Sequence, residues 1–232
     1  MAREHGEARP ERMGPAAGAA ARTRAKLLER ETSEFDRGLF FFDAIYAVAI
    51  TLLVHNVDVP LPEEWLDPGT LVRAGVLHQL GGFALSFVVI AAFWRMNVHL
   101  VKRISAMDPA VTAANLLAAA FVVLIPFTTQ AMSDPRTASY TLPTVVYAVN
   151  LALASLAQLA MFEVARRRWL EVEPMTRRQN TAYVLDALTT PVTFAASVPV
   201  ALAWGANAGR LTWAALLVIG PVSGRLARRA AR

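Results

Sequence analysis

The sequence predicts an all-α, polytopic membrane protein with six transmembrane helices and both termini in the cytoplasm. Three observations carry this. Hydrophobic residues make up 55% of the 232 and charged residues only 18%, against roughly 25% charged in an average soluble domain. The apolar residues fall in six blocks, each near the roughly 20 residues a spanning helix needs. The basic residues between the blocks are lopsided, which sets orientation. Together these exclude a soluble enzyme, a disordered chain and a secreted mini-protein. Cysteine is absent, which removes disulfides, thiolate metal sites and a cysteine nucleophile.

Residues 1–36 form a polar cytoplasmic segment. Residues 1–37 hold eight Lys/Arg and seven Asp/Glu and lack an apolar run, so no signal peptide is read there. Met1–Ala20 reads as disordered, and Ala21–Phe35 as a surface helix leading into the membrane. The membrane domain is expected over 37–227. Its blocks run Gly38–Val57, Val76–Met96, Ala110–Thr128, Thr141–Phe162, Tyr183–Gly205 and Leu211–Leu226, the last being the shortest. Pro191, Pro199 and Pro221 lie within blocks five and six; membrane helices tolerate proline where neighbours satisfy the freed backbone. Residues 228–232 form a basic tail.

With the N-terminus inside, twenty Lys/Arg fall on cytoplasmic segments and only Arg73, Arg136 and Arg210 outside. That bias accounts for the sequence pI of about 10.2 without a nucleic-acid partner, since the cations are not gathered on one patch with interleaved aromatics. The first outer loop carries Asp58, Glu63, Glu64 and Asp67, an acidic mouth. No internal repeat is visible, which weighs against an inverted-repeat transporter.

Ionisable groups within spans are the first functional candidates. Asp43 sits one or two turns inside helix one, six residues after Arg37, whose side chain can snorkel to the interface. Asp43 reads either as an ion-attracting or gating carboxylate or as a structural node. Its aromatic neighbours Phe40, Phe41 and Phe42 weigh toward the node. Val48, Leu52 and His55 share one face at i, i+4, i+7 spacing, with Thr51 beside it. On a membrane helix such a stripe ordinarily means packing or lipid contact. Trp94 fits the aromatic belt. Asn97 and His99 near the same interface, and Asn115 at similar depth, make a buried polar cluster plausible. No metal-ligand spacing, Walker loop, nucleophile elbow or selectivity-filter loop is present, so neither cofactor nor metal is expected, and the chain is not read as an enzyme.

One stretch resembles a known family. Arg37-Gly-Leu-Phe-Phe41-Phe42-Asp43-Ala44-Ile45-Tyr46-Ala47, continuing to Ala49-Ile50-Thr51-Leu52-Leu53, is similar to the first-helix signature of the transmembrane protein 175 family of potassium channels. Ser86-Phe87-Val88-Val89-Ile90 leading to Phe93-Trp94, Asn97 and His99, and Asn115-Leu116-Leu117 ahead of Pro126-Phe127-Thr128, extend the likeness across 37–130. The resemblance implies six-helix subunits assembled as tetramers, with helix one lining a pore whose constriction is apolar. By register the lining positions are Val48, Thr51, Leu52 and His55. It also implies a structural polar network of Arg37, Asp43, Trp94 and Asn115, to which Asn97 and His99 are neighbours.

This chain departs from the signature where Phe42 replaces serine and Ala44 replaces glycine. His55 replaces an outer leucine, and Asn56 stands where an acidic residue is common. The leading expectation is a cation channel subunit, with potassium the ion the resemblance implies, in a prokaryotic plasma membrane as a homotetramer. A secondary transporter or proton-coupled carrier using Asp43 and His55, and a non-conducting membrane protein of the same fold, are the alternatives.

Overall fold

Each long helix starts where a local signal lets it start. In the computed structural model, which describes residues 28–30, 32–216, 219–220 and 223–225, helix α1 (Ser33–Leu52) begins at Thr32. The Thr32 Oγ1 accepts from the Phe35 amide at 3.3 Å, with Glu34 and Asp36 in the first turn; both devices suit the positive end of a helix. A 3-10 turn, Leu53–Asn56, continues α1. The short α2 (Pro68–Arg73) follows in the loop, capped by Asp67. Helix α3 (Val76–Lys102) and helix α4 (Pro109–Val123) come next. Asp108 caps α4 through the Val111 amide at 2.8 Å, and Pro109 occupies a first-turn position where its missing N–H costs nothing. Helix α5 (Ile125–Ser133) and helix α6 (Thr141–Arg167) follow. Helix α7 (Arg177–Trp204) opens on a capping box between Thr176 and Gln179. Helix α8 (Ala206–Thr212) begins after Gly205. Gly205 has φ +88° and ψ 170°, a conformation essentially closed to side-chain-bearing residues, and it turns the chain sharply between α7 and α8.

Among the described residues five segments are long and apolar enough to span a bilayer: Ser33–Asn56, Val76–Lys102, Pro109–Ser133, Thr141–Arg167 and Arg177–Trp204. The sixth block starts on α8 and runs past Trp213 into partly described residues, so a sixth span is not among them. The N-terminal stretch 1–27 and the basic tail 228–232 lie outside the described residues.

Two expectations are corrected. Where a surface helix was expected, Leu28–Glu29 is a strand (β1), paired antiparallel with Ala106–Met107 (β2). Its extended form is held from outside: Arg30 Nη1 donates to the Lys102 carbonyl at 2.8 Å, and the Arg30 amide to the Ser105 carbonyl at 3.0 Å. Docking onto a neighbouring loop overrides local helix propensity. The third span is not one helix, because it breaks at Leu124 ahead of Pro126. Proline has no N–H to continue the ladder and its ring crowds the preceding turn. The prolines inside α7, Pro191 and Pro199, leave that helix continuous.

Helix α6 is the hub and packs most extensively on α4 and α7. Its buried face is rich in alanine (Ala148, Ala152, Ala154, Ala157, Ala165), and small side chains let helix backbones approach closely where lipid supplies no hydrophobic drive. One apolar core joins Tyr46, Leu53, Ile90, Phe93, Tyr147 and Phe194; a second, at the arginine-rich end, joins Phe35, Leu100, Ile104, Met107, Met161 and Phe162.

Candidate pore helix and its polar contacts

Helix α1 is two-faced. Phe42, Tyr46, Ala49 and Leu53 are buried against the protomer's own helices, at the alternating 4 and 3 spacing of one helical face. Val48 (55% exposed), Thr51, Leu52 (40%) and His55 lie on exposed surface. The buried face is fixed by two polar contacts. Gln158 of α6 donates to the Tyr46 hydroxyl at 3.0 Å and to the Phe93 carbonyl at 2.9 Å. At the far end, Asn56 Nδ2 donates to the Pro126 carbonyl at 2.7 Å, beside the break between α4 and α5.

The polar residues singled out from the sequence form two separate pairs. Trp94 Nε1 donates to Asp43 Oδ1 at 2.9 Å on the protomer surface. Asn97 Nδ2 donates to Asn115 Oδ1 at 2.7 Å in the interior. The Asn115 amide nitrogen has no acceptor and the side chain is 0% exposed. Arg37 is exposed and makes no side-chain hydrogen bond among the described residues. His99 is exposed near the end of α3.

A further polar node was not singled out from the sequence. Ser86 Oγ lies 2.6 Å from Thr129 Oγ1 and 3.1 Å from the Tyr147 hydroxyl, all three buried, joining α3, α5 and α6. The available signal was hydroxyl groups inside apolar blocks, which must find partners where water is absent. Arg210 forms a second polar node. It donates to Thr144 Oγ1 at 3.0 Å and to the Met132 and Ala138 carbonyls at 3.2 and 2.8 Å, pinning α8 to α5, to α6 and to the loop between them.

Three of the four carboxylates of the acidic first loop accept hydrogen bonds from neutral donors. Asp58 accepts from Gln79 at 2.9 Å, Glu64 from the Leu61 amide at 2.8 Å and Asp67 from the Gly69 and Thr70 amides. Neutral donors leave those charges intact, so the loop remains a source of negative potential. In the next loop on that end, the Arg136 guanidinium hydrogen-bonds Asp134 and holds its carboxyl below the usual carboxylate range. At the arginine-rich end, Arg168 pairs with Asp108 at 2.5 Å. Glu163 there accepts from both Arg166 and Arg167.

Residues 37–126 match the model of a family described as the endosomal/lysosomal potassium channel TMEM175. Over that stretch the chain carries the TMEM175 pattern. The match includes the exposed positions Val48, Thr51, Leu52 and His55 and the polar residues Arg37, Asp43, Trp94, Asn97, His99 and Asn115. A protein from Streptomyces collinus named as a potassium channel is 27% identical over 167 residues, covering 66% of this chain and 77% of that protein. One from Chryseobacterium sp., also named as a potassium channel, is 23% identical over 129 residues, covering 55% of this chain and 62% of that protein. The crystal structure of a lysosomal potassium-selective channel TMEM175 homolog from Chamaesiphon minutus matches with a TM-score of 0.61 at 21% identity. That match covers 87% of this chain and 100% of the other, and it shows that the chain has the fold of that homolog.

Proposed function

We propose that the chain is a subunit of a potassium-conducting channel, a homotetramer in a prokaryotic plasma membrane, with α1 lining the path. The carrying observation is the division of α1. Tyr46, Ala49 and Leu53 are buried in the protomer while Val48, Thr51, Leu52 and His55 face outward. A helix anchored on one side only, with a partly apolar stripe on the other, has the form needed to meet copies of itself around an axis. Four Leu52 side chains around that axis make a narrow apolar collar, which closes by dewetting and opens by slight widening. The TMEM175 match over α1 and the potassium-channel names of its relatives support the choice of ion. The acidic loop concentrates cations at one mouth.

The test is potassium flux from liposomes holding purified protein. Wild type is expected to dissipate a potassium gradient, and Leu52→Ala to dissipate it faster because the collar is wider. Wild-type liposomes as tight as empty ones, with the protein assembled, would overturn the reading. Equal rates for the two proteins would remove Leu52 from the constriction.

A further inference from the structure

Away from α1, helices α3, α6 and α7, with Leu216 and Gly220 beyond α8, line a half-open cavity of about 350 Å³ whose walls are mainly apolar, including Val89, Phe93, Met96 and Phe194. At Met96, Tyr183 and Asp186 it opens into a hollow of about 760 Å³ at the arginine-rich end. From Val89 to Lys102 the two together follow roughly 20 Å of α3 at 1.5 Å per residue. The cavity volume falls within the usual range of ligand pockets.

The mouth has mixed charge. Lys102 and Arg103 border it, with His99 beside them, and so do the carboxylates Glu173 and Asp186. Among the described residues none of these is in an ion pair. Arg103 instead lies over the Tyr183 ring at 5.5 Å and reaches Met175 Sδ at 3.9 Å. Among the described residues Lys102, Glu173 and Asp186 thus stand outside any ion pair at the opening of an apolar chamber, while Arg103 has the Glu171 carboxylate within electrostatic reach.

We propose that this chamber holds a phospholipid with a zwitterionic, primary-amine headgroup. An acyl chain fills the apolar cavity, the phosphate meets Lys102 and Arg103, and the ammonium meets Glu173 and Asp186. Other amphiphiles fit worse. A wholly anionic lipid sets its head against Glu173 and Asp186. A cationic amphiphile meets Lys102 and Arg103. A neutral acylglycerol offers none of the four charges a partner. A quaternary ammonium offers the carboxylates no N–H donor.

The test is native mass spectrometry of the full chain in detergent. The protein is exchanged against phosphatidylethanolamine, phosphatidylglycerol or phosphatidylcholine with identical acyl chains. Phosphatidylethanolamine is expected to be retained roughly threefold to tenfold more than either of the others, the worth of one or two partly exposed ion pairs. Glu173→Gln with Asp186→Asn should abolish that preference and raise phosphatidylglycerol retention. Lys102→Gln with Arg103→Gln should lower retention of all three lipids. Each variant is checked for an unchanged melting profile. If a variant misfolds, the wild-type ranking still decides. Equal retention of the three, a preference for phosphatidylglycerol, or a preference that survives both double substitutions overturns the proposal. The outcome does not depend on whether the protein conducts potassium.

Discussion

Gln158 reaches two ways at once, to the Tyr46 hydroxyl and the Phe93 carbonyl, and so ties the anchored face of α1 to α3 and α6. Gln158→Leu keeps much of the volume and strands a buried hydroxyl. The expected loss is about 1–2 kcal/mol, toward the lower end because hydrogen bonds within membranes average less than 1 kcal/mol. Thermal unfolding in detergent reads it as a fall in Tm, and an unchanged Tm would remove Gln158 as an anchor. At this scale the sequence was partly legible. Asn97 and Asn115 meet because amides in apolar blocks at one depth have few other partners. Arg37 and Asp43 do not meet within the protomer, because six residues along a helix place them well apart around its axis.

Element boundaries followed a similar division. The starts of α3, α6 and α7 lie at or within several residues of the apolar blocks, since caps and apolar runs are local features. What escaped was set by contact or by a single residue. β1 exists because the loop after α3 receives it, and the third span breaks because Pro126 removes one donor. Close packing of α3 on α5 depends on Gly82, where an added Cβ would stand 2.5 Å from the Ser133 Cβ and 2.9 Å from its Oγ. Gly82→Ala is expected to push the helices apart at a cost of about 1–3 kcal/mol, disturbing the neighbouring Ser86–Thr129 contact. A lowered Tm that Ser133→Gly partly restores would tie the loss to this contact; a Tm unaffected by Gly82→Ala would refute it.

For the whole molecule, the charge bias predicts that the loops at Arg136 and Arg167 lie on opposite sides of the membrane. Because the chain has no cysteine, Arg136→Cys and Arg167→Cys variants report sidedness cleanly. A membrane-impermeant thiol reagent applied to intact cells should label the first and spare the second. Labelling of both, or the reverse order, would overturn the orientation. Most of the architecture was readable because a bilayer restricts a chain to few solutions. The exposure of Val48 and Leu52 was less readable, since nothing in a stripe of side chains says which face of a helix its own protomer covers.

The small ladder of Leu28–Glu29 on Ala106–Met107 carries one more consequence. Ile104, two residues before it, is bridged to Glu171, and Ser105 bonds the Leu170 carbonyl at 2.8 Å. The stretch ahead of α1 and the turns following α3 and α6 are thus stitched into a single plinth beneath the bundle. Any load hung on the chain ahead of residue 28 is shared with the feet of α3 and α6 and does not bear on the root of α1 alone.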